Sequence, residues 1–303
     1  MSVRFAPSPT GVFHLGNLRT AWVSHAWARA LGLPWFVRFE DIDAPRSIPG
    51  AREKQLEDMA RLGLVPDRMS LQSAQRARHW ELFQAIVIER GAYPCVCSRK
   101  DLREALDQLA SAPHAPHAVR RQEPEPPVYH GRCRGRVLTA ADQGALPTVA
   151  WRMKGAAEDG SQDMIIARTA KLTPDETSFT PAYQWACAID DSDGGFPLLV
   201  RAWDLESSAR PQRAIQAWLA SRENREAKFP AIFHASLLIG NDGSRLEKRT
   251  RGITLDELFA AGWTKQKILD RFEKSFTPVL SDFAPAKLWG EPRREITLKE
   301  LGF

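Results

Sequence analysis

The sequence predicts an α/β protein built on a parallel sheet. Three observations predict it. A short apolar strand lies at 3–6, a helix with apolar residues spaced by four covers 17–31, and a second strand follows at once at 35–40. Two strands separated by one helix are joined by a crossover, and crossovers pair strands in parallel.

Each element follows from local chemistry. After the first strand, Pro7, Pro9 and Gly11 break regular structure. In the helix over 17–31, Leu18, Trp22, Ala26 and Ala30 recur at spacing four, with Val23, Trp27 and Leu31 beside them. A helix over 50–62 turns Leu56, Met59 and Ala60 inward and stops near Gly63. Another over 73–90 places Trp80, Phe83 and Val87 on one face and ends at Gly91. Residues 111–127, rich in Pro, His and Ala without a period, read as an exposed loop. A strand is expected at 148–153, and a hairpin at 185–201 with Asp193, Gly194 and Gly195 at its turn. After Ile253 the pattern is helical. The expected domains are a sheet domain over 1–90 and 172–250, an insertion over 91–171, and a helical region over 251–303.

Composition narrows the function classes. The chain has 303 residues, 43% of them hydrophobic, enough for a packed core. A net charge of +5 permits an acidic partner such as RNA without demanding one. No apolar run approaches the roughly 20 residues that span a bilayer, and residues 1–10 carry no signal-peptide pattern, so a cytoplasmic chain is expected. The four cysteines are Cys95, Cys97, Cys133 and Cys187, and the close Cys95/Cys97 pair reads as a metal clip more than a disulfide framework.

The segment RFAPSPTGVFHLGN, from Arg4 to Asn17, carries the strongest chemistry. A loop between a strand and a helix N-terminus is a natural phosphate site, because unpaired N–H groups and the helix dipole point there. His14 can donate to a phosphate oxygen, and Gly16 permits close approach to the backbone. Downstream stand FEDIDAPR at 39–46, AYQWACAIDD at 182–191, LLVRAWDL at 198–205 and DGSRLEKR at 242–249. In this order the blocks resemble the signatures of glutamyl-tRNA synthetases: the class I H-x-G-H motif, the glutamate- and ATP-site blocks, and the KMSKS-type loop. Only residues 250–303 follow the last block. In that shortness the chain is similar to the glutamyl-queuosine tRNA(Asp) synthetases, short paralogues of the family.

The resemblance implies a Rossmann-type catalytic domain with an inserted zinc-bearing subdomain. It also implies activation of L-glutamate by ATP with Mg²⁺, and transfer to queuosine in the anticodon arm of tRNA(Asp) by a monomer. It places Arg4, Ser8, Glu40, Tyr183 and Arg201 around glutamate. The charges suit that set, since an ammonium wants a carboxylate and a carboxylate an arginine fork. It places His14, Gly16, Asn17, Asp204, Arg245 and Lys248 around ATP, with His14 and Lys248 acting on the phosphates. Taken singly, Arg38 and Glu40 read as a strand-end ion pair and Tyr183 as core; the ligand reading comes from the ordered set. For zinc it implies Cys95, Cys97, Tyr129 and Cys133, where the residues alone would nominate His130 as the fourth donor and a water is a further alternative.

Several positions depart from the family pattern. Asn17 replaces the last histidine of the H-x-G-H motif, Arg245 and Glu247 replace a lysine and a serine in the KMSKS-type loop, and Ala202 replaces a glycine. Cys187 stands where discriminating synthetases carry asparagine. Arg132, Arg134 and Arg136 alternate around Cys133, and Arg245, Lys248, Arg249 and Arg251 form a second basic cluster; alternating arginines on one strand face read either as a track for a phosphate backbone or as an ordinary solvated face. The rival functions are a synthetase charging a tRNA 3′ end, a non-catalytic RNA- or nucleotide-binding paralogue, and a nucleotidyltransferase of another acid.

Overall fold

The computed structural model describes residues 1–98, 101, 129, 131–138, 148–157, 162–171, 177–244, 246 and 253–303. Along the chain run β1 (Val3–Phe5), α1 (Leu15–Ala30), β2 (Trp35–Phe39), α2 (Ala51–Arg61), β3 (Arg68–Leu71), α3 (Arg76–Ile88), β4 (Ala92–Cys95) and β5 (Val149–Met153). Then come β6 (Met164–Lys171), β7 (Thr177–Pro181), α4 (Tyr183–Asp193), β8 (Leu198–Ala202), α5 (Ala209–Arg222), β9 (Ala231–Ala235) and β10 (Leu237–Ile239). The last elements are α6 (Leu255–Ala260), α7 (Lys265–Ser275), β11 (Leu288–Gly290), β12 (Glu295–Thr297) and α8 (Leu298–Leu301). They fall into two compact units, Met1–Arg76 with Ala186–Phe303, and Ala77–Trp185.

The first unit is carried by a six-stranded sheet in the order β11-β9-β8-β1-β2-β3, parallel at every pairing. The expected β1–α1–β2 crossover is present. Strand parity divides the sheet into two faces. Val3, Phe5, Val37, Phe39, Leu198 and Val200 join the core under α1, with Leu15, Leu18, Val23 and Trp27 from the helix. Leu199, Ile232 and Phe196 form a smaller cluster with Ala209, against which Phe36 packs. Because β8 and β2 flank β1 on opposite sides, the strand order reverses at β1 and β8, and a crevice opens at their carboxyl ends.

Two expectations need correction. Residues 185–201 are not a hairpin: α4 runs to Asp193, Gly195 turns at φ 57°, and β8 pairs in parallel with β1 and β9. Every residue from 185 to 191 is buried, and a short continuous buried run cannot be told from a strand by periodicity. Secondly, α2 buries Gln55 and Asp58 as well as Met59, while Ala60 lies exposed. The region after Ile253 is helical as expected, yet it also adds β11 to the main sheet and pairs β12 with β10. A buried ion pair, Arg19 to Glu291 at 2.6 and 2.8 Å, ties that region to α1.

The second unit holds a four-stranded antiparallel sheet in the order β4-β5-β6-β7, with a register irregularity between Trp151 and Arg152. Aromatic rings of Trp80, Phe83, Trp151 and Phe179 pack together there, at centroid distances of 5.0–5.5 Å. No helix among the described residues is long and apolar enough to cross a membrane.

Candidate active site

A cavity of about 380 Å³ occupies the crevice at the carboxyl ends of β1 and β8. Ser8, His14, Gly16, Asn17, Arg201 and Asp204 all line it. The loop bearing Ser8 is held from α2, whose Gln55 Nε2 donates to the carbonyls of Ser8 at 3.1 Å and Gly11 at 2.7 Å. That clamp carries no sequence motif. Its only signal was a glutamine on a face otherwise expected to be apolar.

His14 is the N-cap of α1. Its Nδ1 accepts from Gly16 N at 3.1 Å, and Asn17 Oδ1 accepts from His14 N at 3.3 Å. A neutral ring with Nδ1 accepting carries its proton on Nε2, which makes that nitrogen a donor. The first helical N–H groups are already used. Leu15 N donates to Ile253 O, and Asn17 N and Leu18 N to His14 O. The expectation of unpaired N–H groups for phosphate is therefore corrected: what remains for an anion here is the helix dipole and the side chains. Gly16 serves the ring, since a Cβ there would lie 2.9 Å from His14 Cε1.

Strand parity sends Arg4, Arg38 and Arg201 to the sheet face opposite α1. There α4 supplies acid. Arg4 donates to Asp191 from Nε at 3.1 Å and Nη2 at 2.5 Å, and Arg38 Nη1 donates to Asp191 at 2.7 Å. Arg38 Nη2 also reaches Glu40 Oε1 at 3.1 Å, and Asp190 stands 3.8 Å from Arg38 Nε. Two guanidinium groups thus face three buried carboxylates. Burial opposes charge on Asp191, but Arg38 and Arg4 together hold its carboxyl below the usual range. The Cys187 thiol donates to Glu40 Oε1 at 2.9 Å; burial and then Glu40 push its own titration up, so it stays a thiol.

Arg201 Nη1 donates to Gln212 Oε1 at 2.8 Å. Its neighbour across the β8–β9 ladder is His234, stacked on Trp203 at 5.0 Å with Nδ1 3.2 Å from Trp289 O. Burial, then the Arg201 charge, lowers the His234 imidazole to about 4, so it is neutral near pH 7.

In the second unit, Cys95, Cys97 and Cys133 bring their sulfurs within 4.8 Å of one another. Four ligands at Zn–S distances imply S···S spacings of about 3.8 Å, and Cys97 Sγ to Cys133 Sγ is 3.5 Å, so the trio fits a zinc-type ion. The Tyr129 hydroxyl accepts from Cys133 N at 2.7 Å, which seats it beside the thiols. Residues 132–135 form a turn and no strand is assigned over 131–138, and Arg134 is spent on the carbonyls of Gly155 and Ala157, so the strand-face arginine reading is corrected.

Of the expected site residues, six share the cavity, while Arg4 and Glu40 sit together in the Asp191 cluster on the opposite side of β1 from Phe5, a cavity-lining residue. Tyr183 belongs to the second unit, at the start of α4. Arg245 and Lys248 lie outside the described residues, as do Glu247, Arg249, Arg251, His130 and the loop at 111–127; Leu246 lines the cavity. Asp191, Gln55, Gln212 and His234 were not anticipated. Of these, Asp191 alone stands in one of the sequence blocks, as one of the paired aspartates of AYQWACAIDD.

Comparison with known proteins gives consistent matches. Residues 1–272 match the family of class I tRNA synthetases (E and Q), catalytic domain. A glutamyl-Q tRNA(Asp) synthetase from Nocardia farcinica is 32% identical over 95% of this chain and 91% of its own length. A glutamate–tRNA ligase from Thiobacillus denitrificans is 32% identical over 88% of this chain, which spans 55% of it. Among solved structures, a glutamate tRNA ligase from Elizabethkingia meningosepticum superposes with a TM-score of 0.60 at 20% identity; it covers 89% of this chain, which spans 59% of it.

Proposed function

We propose the following function for this chain, which belongs to the class I tRNA synthetases of the E and Q type: it activates L-glutamate with ATP and transfers it to queuosine in the anticodon of tRNA(Asp). One observation carries the reading. A single cavity at the strand-order reversal gathers His14, Ser8, Arg201 and Asp204, and β1 links its wall to the buried cluster that holds Glu40. A carboxylate held in a buried site favours a cation beside it, which the glutamate ammonium supplies at Glu40.

In the first step, an α-carboxylate oxygen of glutamate attacks the α-phosphorus of ATP, the bond to pyrophosphate breaks, and glutamyl-adenylate forms. The residues chiefly place and neutralise. His14 Nε2–H meets phosphate oxygen, and Asn17, whose Oδ1 already caps the helix, has its amide N–H groups left to donate. Arg201 meets a carboxylate. Asp191 takes Nε and Nη2 of Arg4, so Arg4 offers its Nη1 edge. Ser8 and Tyr183 add hydroxyl hydrogen bonds, Gly16 keeps the His14 ring seated, and Asp204 meets the ribose. Arg245 and Lys248 take the leaving pyrophosphate, and Mg²⁺ bound with ATP would help neutralise the phosphate charge. In the second step a queuosine hydroxyl attacks the adenylate carbonyl and AMP leaves.

Zinc, held by Cys95, Cys97, Cys133 and Tyr129, would stiffen the insertion, for which the three clustered thiols are the support. Free thiols at all four cysteines suit a reducing cytoplasm, and we take the chain to act there as a monomer. We retain the sheet domain over 1–90 and 172–250, the insertion over 91–171 and the helical region over 251–303 as the functional division.

The test is incubation with ATP, labelled glutamate and tRNA(Asp), followed by mass spectrometry of the nucleosides. Label on the queuosine nucleoside is expected. Label on the terminal adenosine would assign 3′-end charging instead, and absence of ATP–pyrophosphate exchange with glutamate would assign a binding role.

A further inference from the structure

Arg152 is a buried cation with no acid beside it among the described residues. It is 6% exposed, and no carboxylate among the described residues comes within ion-pair distance of it. The neighbouring Asp163 is engaged elsewhere, by the Tyr93 hydroxyl at 2.5 Å, Gly155 N at 2.7 Å and Arg134 at 3.5 Å. Arg152 instead donates from Nη1 to the Asp163 carbonyl at 3.0 Å and from Nε to Cys95 Sγ at 3.4 Å, and lays its guanidinium 3.8 Å over the Tyr129 ring. A guanidinium taken from water needs a compensating charge, and no carboxylate among the described residues supplies it.

The sheet shows how the contact is made. In the β4–β5 pair, Tyr93 lies opposite Arg152 and Cys95 opposite Ala150, so Arg152 and Cys95 are diagonal neighbours on one face. The register irregularity between Trp151 and Arg152 falls at this point, and such irregularities re-aim the side chain that follows.

We propose that Arg152 is a positioning residue of the cysteine cluster: its guanidinium balances the negative charge that a divalent ion retains with three thiolates, and it fixes the direction of Cys95 Sγ and the plane of Tyr129. The inference rests on the zinc reading above. A divalent ion with Cys95, Cys97 and Cys133 thiolates carries one net negative charge, and Arg152 brings the centre to zero. Groups just outside a metal's ligands set ligand orientation in this way, and their loss typically costs about 10- to 100-fold in metal affinity.

The experiment is zinc binding by the full chain, read by competition with a chromophoric chelator, for wild type, Arg152→Gln and Arg152→Lys, with circular dichroism as the check on folding. Wild type is expected to bind one zinc. Arg152→Gln is expected to remain folded and bind roughly 10-fold or more weakly. Arg152→Lys keeps the charge but not the planar fork, and is expected to fall between the two. Wild type without zinc would overturn the metal reading itself. Wild type with zinc and a folded Arg152→Gln of equal affinity would overturn the role of Arg152 alone. Should Arg152→Gln fail to fold, Arg152→Lys decides, and wild-type affinity there overturns the proposal.

Discussion

Arg4 and Asp191 meet through two hydrogen bonds, Nε to Oδ1 at 3.1 Å and Nη2 to Oδ2 at 2.5 Å, across 187 residues of sequence and with almost no solvent access. The same carboxylate holds Arg38, which in turn holds Glu40. One aspartate on α4 therefore orients the charged groups of two strands.

Asp191→Asn should destabilise the protein by about 3–5 kcal/mol near pH 7, because it leaves two buried guanidinium groups facing a neutral amide. The sign with pH follows from the depressed carboxyl. Its stabilisation is fully present above about pH 4, the unfolded value, and is lost as pH falls through the lower folded value. Urea unfolding of both proteins should give a gap that is constant from pH 7 to 5 and closes in stronger acid. A gap that persists unchanged at the lowest pH would refute the assignment.

Glu40→Gln should raise KM for glutamate by about tenfold or more while leaving KM for ATP within about twofold, since a lost charge-assisted hydrogen bond is worth about 1.5–3 kcal/mol. Arg38 and Cys187 remain to hydrogen-bond the amide oxygen, so the fold should persist. Equal effects on both KM values would place Glu40 outside the ammonium site.

His14→Ala should slow ATP–pyrophosphate exchange by about 100-fold, the usual loss for one preorganised donor, and cost about 1 kcal/mol through the missing cap. Gly16→Ala reports on the same ring from the other side. Its Cβ would sit 2.9 Å from His14 Cε1, so it should displace the imidazole and reproduce much of the rate loss with the histidine still present. An unaffected Gly16→Ala enzyme would show that the seat of the ring does not matter to the rate.

His234 supplies a second pH signature. Its folded value of about 4 lies below the ordinary 6.5, so the unfolded chain takes up a proton first as pH falls. Stability should be undiminished above pH 6.5 and decline towards pH 4, by on the order of 3 kcal/mol in total. His234→Gln should flatten the unfolding free energy over this window. A slope that survives the substitution would have to come from other groups.

The sequence by itself determined the parallel β1–α1–β2 frame, because a four-spaced apolar helix between two apolar strands leaves one crossover open to it. It also marked the residues that line the crevice, since Ser8, His14, Gly16, Asn17, Arg201 and Asp204 stand in compact blocks. Only the tertiary structure decided that Asp191 binds Arg4 and Arg38, that Gln55 clamps the Ser8 loop, and that α1 consumes its own first N–H groups through His14 and Ile253. It also showed α4 to be a helix where an apolar run and two glycines read as a hairpin. The physical reason is range. Periodicity and turn chemistry act over a few residues and are written locally, whereas a buried charge finds its partner only once distant segments have packed, and no spacing in the chain records which partner that will be.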